Sequence, residues 1–109
     1  MDAIEFIKKQ IAENPVVIFM KGTPEFPQCG FSARASGELA ACGEKFAAVN
    51  IFEYTEVHQS LPGYSNWPTF PQIFIDGQLI GGCDITLALF QQGELQKMIK
   101  TAVEKAAAE

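Results

Sequence analysis

The run Val16-Val17-Ile18-Phe19-Met20 is continuously apolar and contains three β-branched side chains. Such a run is typical of a strand that is buried on both faces of a sheet. On its amino side, Asp2 and Glu5 predict a capped helix that ends at Asn14-Pro15. On its carboxyl side lies a loop with glycine and proline, Gly22 to Gln28. The run therefore predicts the central strand of an α/β domain.

A helix is predicted directly after this loop, with Cys29 at its start. Helical spacing places four side chains on one apolar face: Phe31, Ala35, Leu39 and Cys42. Gly43 ends this helix, because glycine is common just past a helix carboxyl end. Residues 45–51 predict a second strand, and Thr55 to Leu61 predict a short helix that ends at Pro62-Gly63.

A hairpin and another helix follow. Asp76-Gly77 is a strong signal for a two-residue turn, and the apolar runs 72–75 and 78–80 predict its strands. Asp84 predicts the N-cap of a helix that continues through Phe90.

The element order predicts one α/β domain with a mixed four-stranded sheet flanked by helices. Each of the two strand–helix alternations favours a parallel crossover, and the hairpin adds an antiparallel pair. The length of 109 residues fits a single domain over residues 1–109. A last helix follows Gly93, and we expect its alanine-rich end to fray after about Val103.

Charge and composition argue against nucleic-acid and membrane partners. The formal net charge is −5, whereas a phosphate-binding surface needs clustered Lys and Arg. No apolar run approaches the roughly 20 residues of a membrane helix, and the amino end predicts a capped helix rather than a signal peptide. The three cysteines are spaced too widely for a secreted disulfide framework or a Cys-x-x-Cys metal site. We therefore expect a cytoplasmic protein.

The stretch Cys29-Gly30-Phe31-Ser32 has a cysteine where a dithiol redox motif begins and a serine where its second thiol would lie. A thiol is a useful nucleophile or metal ligand only as thiolate, so Cys29 needs a lowered pKa. A helix amino end and the charge of Lys21 can lower it. The alternative is a small buried apolar residue, but the strand, loop and helix around Cys29 favour function. Because one thiol cannot close a local disulfide, this chemistry requires sulfur from elsewhere.

Other candidates have simpler structural interpretations. Gly81-Gly82-Cys83-Asp84 places backbone N–H groups at a helix start, which suits a small carboxylate, but taken alone this stretch is better explained as an ordinary capped turn. Pro71 lies just before a predicted strand, where proline is allowed, and residue type alone favours a trans bond because only about one X–Pro bond in twenty is cis. Cys42 is assigned to the core, and His58, the only histidine, to the surface.

Four motifs nevertheless occur in a fixed order along the chain: Met20-Lys21-Gly22-Thr23-Pro24, Pro27-Gln28-Cys29-Gly30-Phe31-Ser32, Asn66-Trp67-Pro68-Thr69-Phe70-Pro71-Gln72 and Gly81-Gly82-Cys83-Asp84. Together they resemble the signatures of the monothiol, CGFS-type glutaredoxins in their single-domain bacterial form. The similarity runs from about Ile4 to Ile99. It implies a thioredoxin-like fold, Pro71 in the cis form and a groove that binds glutathione.

The resemblance also implies roles for individual residues. Lys21 would contact the glycine carboxylate of glutathione, and the backbone of Phe70 would pair with its cysteinyl part. Cys83 and Asp84 would hold the γ-glutamyl end. Cys29 would then lie beside the glutathione sulfur.

Two positions depart from the family pattern. Val57-His58 stands where these proteins usually have an arginine that helps to bind the glycine carboxylate. Gly63 precedes Tyr64 where a lysine is common. His58 is therefore a candidate substitute for the arginine, and we expect glutathione binding to be more sensitive to pH than in an arginine-bearing relative.

The number of available thiolates bears on function. A 2Fe-2S cluster takes four ligands, usually thiolates, and this chain offers one well-placed cysteine, Cys29. Two subunits and two bound glutathiones supply four. We therefore expect a homodimer bridged by the cluster, in line with the family role of delivering clusters to apo iron-sulfur proteins. The resemblance further implies mixed dimers with BolA-type proteins.

Two alternatives remain at this point. A glutathione-dependent thiol-disulfide oxidoreductase would use Cys29 to attack a glutathionylated protein, and a second glutathione would resolve the mixed disulfide. The resemblance implies that such activity is weak. A thioredoxin-like interaction module without chemistry would bring Lys21, Cys29 and the Cys83-Asp84 turn together by coincidence.

Overall fold

The computed structural model describes residues 2–109. Within them the chain forms five helices and four strands, in the predicted order. The elements are α1 (Ala3–Glu13), β1 (Val16–Met20), α2 (Gly30–Ala41), β2 (Ala47–Asn50), α3 (Thr55–Ser65), β3 (Gln72–Ile75), β4 (Gln78–Gly81), α4 (Cys83–Gln91) and α5 (Glu94–Ala108).

The four strands form one mixed sheet in the spatial order β2-β1-β3-β4. β1 pairs parallel to β2 and antiparallel to β3, and β3 pairs antiparallel to β4. The turn between β3 and β4 contains Asp76 (φ 52°) and Gly77 (φ 77°), which both adopt the positive φ of a tight hairpin turn. The predicted mixed sheet, its hairpin and its central strand are confirmed.

The central strand β1 is buried along its whole length, and its side chains alternate between two cores. Val16, Ile18 and Met20 point to the face that is covered by α2 and α5. Val17 and Phe19 point to the opposite face, which is covered by α1 and α3. This two-sided burial explains why the strand has no polar residue in its pattern.

The direction of β3 differs from the prediction that both alternations form parallel crossovers. Gln72, at the start of β3, lies opposite Phe19, near the end of β1, so β3 runs back along β1. The alternation of strands and helices does not determine the direction of a strand. That direction depends on which end of the sheet the chain returns to after the helix. The result places the loop before β3 next to the carboxyl end of β1.

Two helix boundaries also differ from the prediction. α3 continues to Ser65 with Pro62 inside it, and its carboxyl end is capped by Asn66 in the left-handed conformation (φ 56°). Proline removes only one N–H donor, and the Pro62 carbonyl still accepts a bond from the Trp67 N–H at 3.2 Å.

The predicted cap of α4 is likewise wrong. Its N-cap is Gly82, and Asp84 is already the second helical residue. The Gly82 carbonyl accepts the first helical bond, from the Thr86 N–H at 3.1 Å, and a second from the Thr86 hydroxyl at 2.8 Å.

One side chain of α2 does not lie on the predicted apolar face. Ala35 and Leu39 are buried and Cys42 packs against the same core, but Phe31 is 62% exposed. Its position in the first turn puts it beside Cys29 at the surface rather than over the sheet.

The last helix extends to Ala108, past Val103. Residues 104–109 are exposed and the helix continues through them to Ala108. The fraying of this end stays a prediction. Among residues 2–109 no helix is both long enough and apolar enough to cross a membrane.

The central strand supports a prediction about stability. Phe19 is fully buried and meets Phe74 edge to face, with ring centroids 5.7 Å apart. Phe19→Ala should lower the free energy of unfolding by about 3–5 kcal/mol, because it removes buried area and leaves a cavity. Phe26→Ala, at a side chain that is 75% exposed, should change it by about 0.5 kcal/mol or less. Urea unfolding of both variants measures the difference, and equal losses would contradict the two-core arrangement.

Candidate functional site

A groove of about 700 Å³ lies where five parts of the fold meet: the end of β1, the start of α2, one side of α3, the loop before β3 and the start of α4. All six residues that the sequence singled out line this groove: Lys21, Cys29, His58, Phe70, Cys83 and Asp84. They are separated by up to 63 positions in sequence (84 − 21). The fold therefore brings the candidates together, while the role of each stays a prediction.

The sheet explains this convergence. Because β3 runs antiparallel to β1, the last residues of β1 and the first residues of β3 lie side by side. Lys21 follows β1 directly, and Phe70 precedes β3 by two positions. The peptide bond between Phe70 and Pro71 is cis, in agreement with the form that the resemblance implied, so the trans bond favoured by residue type alone is wrong.

Cys29 is the N-cap residue of α2 and is partly exposed in the groove. The backbone N–H of Ser32 has the largest effect on the pKa of its thiol, which lies below the ordinary value. Burial opposes this shift, whereas the N–H of Phe31, the charge of Lys21 and the Ser32 hydroxyl reinforce it. The start of α2 therefore favours the thiolate.

The loop between Lys21 and Cys29 is held by a backbone hydrogen bond and by the side chain of Asn50, at the end of β2. The Gln28 N–H donates to the Lys21 carbonyl at 2.9 Å, and the Gly22 N–H donates to Asn50 Oδ1 at 3.0 Å. Gly22 has a φ of 91°, and a Cβ there would lie 2.6 Å from the Phe26 carbonyl oxygen. Only glycine fits this position, and the closed loop returns the chain to the start of α2.

Ser32 has a structural role that the sequence did not reveal. Its side chain is fully buried, and its hydroxyl oxygen accepts a bond from the Lys21 N–H at 3.1 Å. The serine that stands in place of a second thiol thus ties the end of β1 to the first turn of α2.

The sequence analysis also missed the role of Asn50 in holding the loop after β1. Its only signal in the sequence was a polar side chain at the end of a predicted strand.

The opposite wall of the groove is the start of α4. Gly82 caps this helix without a side-chain bond, so the N–H groups of the first turn have no side-chain acceptor. A Cβ on Gly82 would lie 3.2 Å from the Pro71 carbonyl oxygen and 3.5 Å from Trp67 Nε1. The loop before β3 and the start of α4 therefore lie close together at Gly82.

The other two cysteines differ from Cys29. Burial, followed by the nearby Glu38 carboxylate, raises the pKa of Cys42 and of Cys83. Cys42 Sγ donates to the Glu38 carbonyl at 3.3 Å, which suits a protonated thiol. Cys29 is thus the one thiol whose surroundings favour the thiolate.

His58 lies among aromatic rings rather than at an ordinary surface position. Its ring meets Phe70 edge-on, with ring centroids 5.3 Å apart and an interplanar angle of 90°, and lies at 60° to the Phe52 ring, with centroids 6.3 Å apart. The side chain is partly exposed and lines the groove on the α3 side.

Comparisons with known proteins agree with this geometry. The family described as glutaredoxin matches residues 16–80. Glutaredoxin 4 of Escherichia coli (strain K12) is 55% identical over 102 residues, which are 94% of this chain and 89% of that protein. Reduced poplar apo GrxS14 has a similar solution structure, with a TM-score of 0.79, 45% identity and 92% of each chain covered.

A buckwheat glutaredoxin solved as a glutathione complex is similar in fold. Its TM-score is 0.80 at 23% identity, over 92% of this chain and 89% of that one. The predicted thioredoxin-like fold is confirmed by these neighbours.

The three thiols should differ in reactivity. At pH 7 we expect iodoacetamide to alkylate Cys29 several-fold faster than Cys42 or Cys83, because a lowered pKa leaves a larger thiolate fraction. Mass spectrometry of the digested protein measures each rate. Unfolding in guanidinium is the control, since it should bring the three rates together. Equal rates in the folded protein would contradict the assignment of Cys29.

Proposed function

The chain belongs to the glutaredoxin family, in its monothiol, single-domain form, and from this premise we propose that it binds glutathione and carries a 2Fe-2S cluster. The observation that carries the proposal is the difference between Cys29 and the other two cysteines of the chain. One cysteine, Cys29, has a lowered pKa and partial exposure, while burial raises the pKa of the other two. Each chain therefore supplies one good sulfur ligand.

Glutathione fits the groove by charge and backbone geometry. Lys21 offers a positive charge for the glycine carboxylate at one end, with His58 on the same side as Phe70. The pairing of β3 with β1 ends at Gln72, so the backbone of Phe70 lies beyond it and can pair with the cysteinyl part.

The γ-glutamyl end would bind at the other wall. The uncapped first turn of α4 offers N–H groups to its carboxylate, next to Cys83 and Asp84. This arrangement directs the glutathione thiol towards Cys29. The buckwheat protein of the same fold forms a glutathione complex, which supports the same ligand here.

The cluster is the cargo of this site and needs ligands from outside one chain. Among residues 2–109, no three His, Cys, Asp or Glu side chains come together as a metal site. A 2Fe-2S cluster takes four ligands. Cys29 from each of two subunits and the thiolates of two glutathiones supply that number. Half of the ligands are then exchangeable small molecules, which suits delivery of the cluster to other proteins.

The surroundings of Cys29 support contact with a second chain. Phe26, Phe31 and Ile85 are 75%, 62% and 41% exposed, and the last two line the groove. Exposed apolar side chains around a ligand site are typical of a surface that another protein covers. We assign this apolar surface to the homodimer contact, and in mixed dimers to the contact with BolA-type proteins and apo iron-sulfur proteins.

The single reactive thiol also suits the reducing cytoplasm, where thiols do not form stable disulfides.

Anaerobic reconstitution tests the cluster proposal. With iron, sulfide and glutathione, the wild-type protein should become a coloured dimer. Visible absorption measures the colour, and size-exclusion chromatography measures the dimer. Cys29→Ser should lose the colour, because it removes the only thiolate that the chain contributes. Cys42→Ser is the matched control and should keep it. Iron bound to a monomer, or retained by Cys29→Ser, would contradict the proposal. A colourless monomer with rapid deglutathionylation would favour the oxidoreductase instead.

His58 supports a separate prediction on glutathione binding. It lines the groove beside Phe70, on the side that we assign to the glycine carboxylate. His58→Arg should bind glutathione several-fold more tightly, because a guanidinium presents a permanent charge and two parallel donors to a carboxylate. Calorimetric titration of both proteins under the same conditions measures the difference. Equal affinities would refute a role for His58 in binding the carboxylate.

A further inference from the structure

Gln72 is an amide in an otherwise apolar strand. It is the first residue of β3, its side chain is fully buried, and the three residues that follow are Ile73, Phe74 and Ile75. A buried amide is costly unless its polar groups are hydrogen-bonded, so its contacts indicate why a polar residue is used here.

The side chain binds the loop that precedes it. We call residues 66–71 the Trp67 loop. Gln72 Nε2 donates to the Trp67 carbonyl at 2.9 Å and to the Thr69 carbonyl at 3.2 Å. An amide nitrogen has two protons, so both donors of Gln72 are used on this loop.

Few other hydrogen bonds hold the Trp67 loop. Pro68 and Pro71 have no N–H to donate. Within residues 2–109, the one other hydrogen bond of this loop after Asn66 is from the Trp67 N–H to the Pro62 carbonyl at 3.2 Å. The Gln72 amide is therefore the main polar restraint on residues 67–70.

Packing alone does not account for glutamine at this position. Gln72 Oε1 is buried and has no hydrogen-bond partner within the described chain, which costs stability. A methionine of similar length would fill the same space without that cost. The amide is thus better explained by its two donors than by the stability of the core.

We propose that Gln72 is a positioning residue for the glutathione groove: its amide fixes the Trp67 loop and thereby holds the backbone of Phe70 ready to pair with the ligand. Trp67, Thr69 and Phe70 all line the groove, so movement of the loop changes its shape. Trp67 also lies near Gly82 on the opposite wall, and a loose loop would change the spacing between them. The ligand part of this inference rests on the proposed function; the restraint on the loop does not.

The test compares Gln72→Met with Gln96→Met. Gln96 also has a buried Oε1 without a partner, but it lies on α5, away from the groove, so the control makes the same chemical change elsewhere. Trp67 is the only tryptophan of the chain, and its fluorescence therefore reports on the loop alone. Acrylamide quenching without ligand should rise about twofold or more in Gln72→Met and stay unchanged in Gln96→Met.

Glutathione affinity is measured on the same three proteins. It should fall about three- to tenfold in Gln72→Met, because a mobile loop must be ordered on binding, and stay near wild type in Gln96→Met. Unchanged quenching and affinity in a folded Gln72→Met would overturn the inference. Increased quenching with unchanged affinity would overturn the ligand part alone. If the wild-type protein binds no glutathione, the proposed function fails, and quenching still decides whether Gln72 holds the loop.

A measurement on the wild-type protein covers the case in which Gln72→Met does not fold. Nuclear magnetic resonance can follow hydrogen exchange of side-chain amide protons. Both Nε2 protons of Gln72 should exchange slowly, in contrast to those of the exposed Gln78. Rapid exchange at Gln72, at the rate of Gln78, would overturn the inference.

Discussion

The two-sided burial of β1 determines where the other helices and strands pack. Alternate side chains of this strand fill two cores, and helices must cover both faces. The carboxyl end of β1 then becomes a fixed point near which α2 begins and β3 enters the sheet. Lys21, Cys29 and Phe70 meet there because of this topology. The groove is thus a consequence of how the central strand is buried.

Much of the fold follows from the sequence for physical reasons. The apolar run 16–20, with its β-branched residues, favours a strand covered on both faces, and Asp76-Gly77 favours a tight turn by its backbone preferences. The direction of β3 was not predictable, because it depends on the end of the sheet at which the chain re-enters. The cap of α4 was misassigned because the N-cap is a glycine, Gly82, which has no capping side chain to mark it.

The candidate site could be located from motifs, but its supporting contacts could not. Ser32, Asn50 and Gln72 all act on backbone groups that are distant in sequence or belong to an irregular loop. Their partners are peptide N–H and C=O groups, which every residue carries, so no pattern of side chains marks them. Only the fold indicates that the serine in place of a second thiol is a tie between β1 and α2.

Environment rather than number separates the three cysteines, since the start of α2 favours the thiolate at Cys29 while burial disfavours it at Cys42 and Cys83. With one such thiolate per chain, the proposed 2Fe-2S cluster must take its four ligands from two chains and two glutathiones. Native mass spectrometry of the reconstituted protein tests this composition. We expect one species that contains two chains, two glutathiones and one 2Fe-2S cluster. A cluster held by a single chain, or by two chains without glutathione, would contradict it.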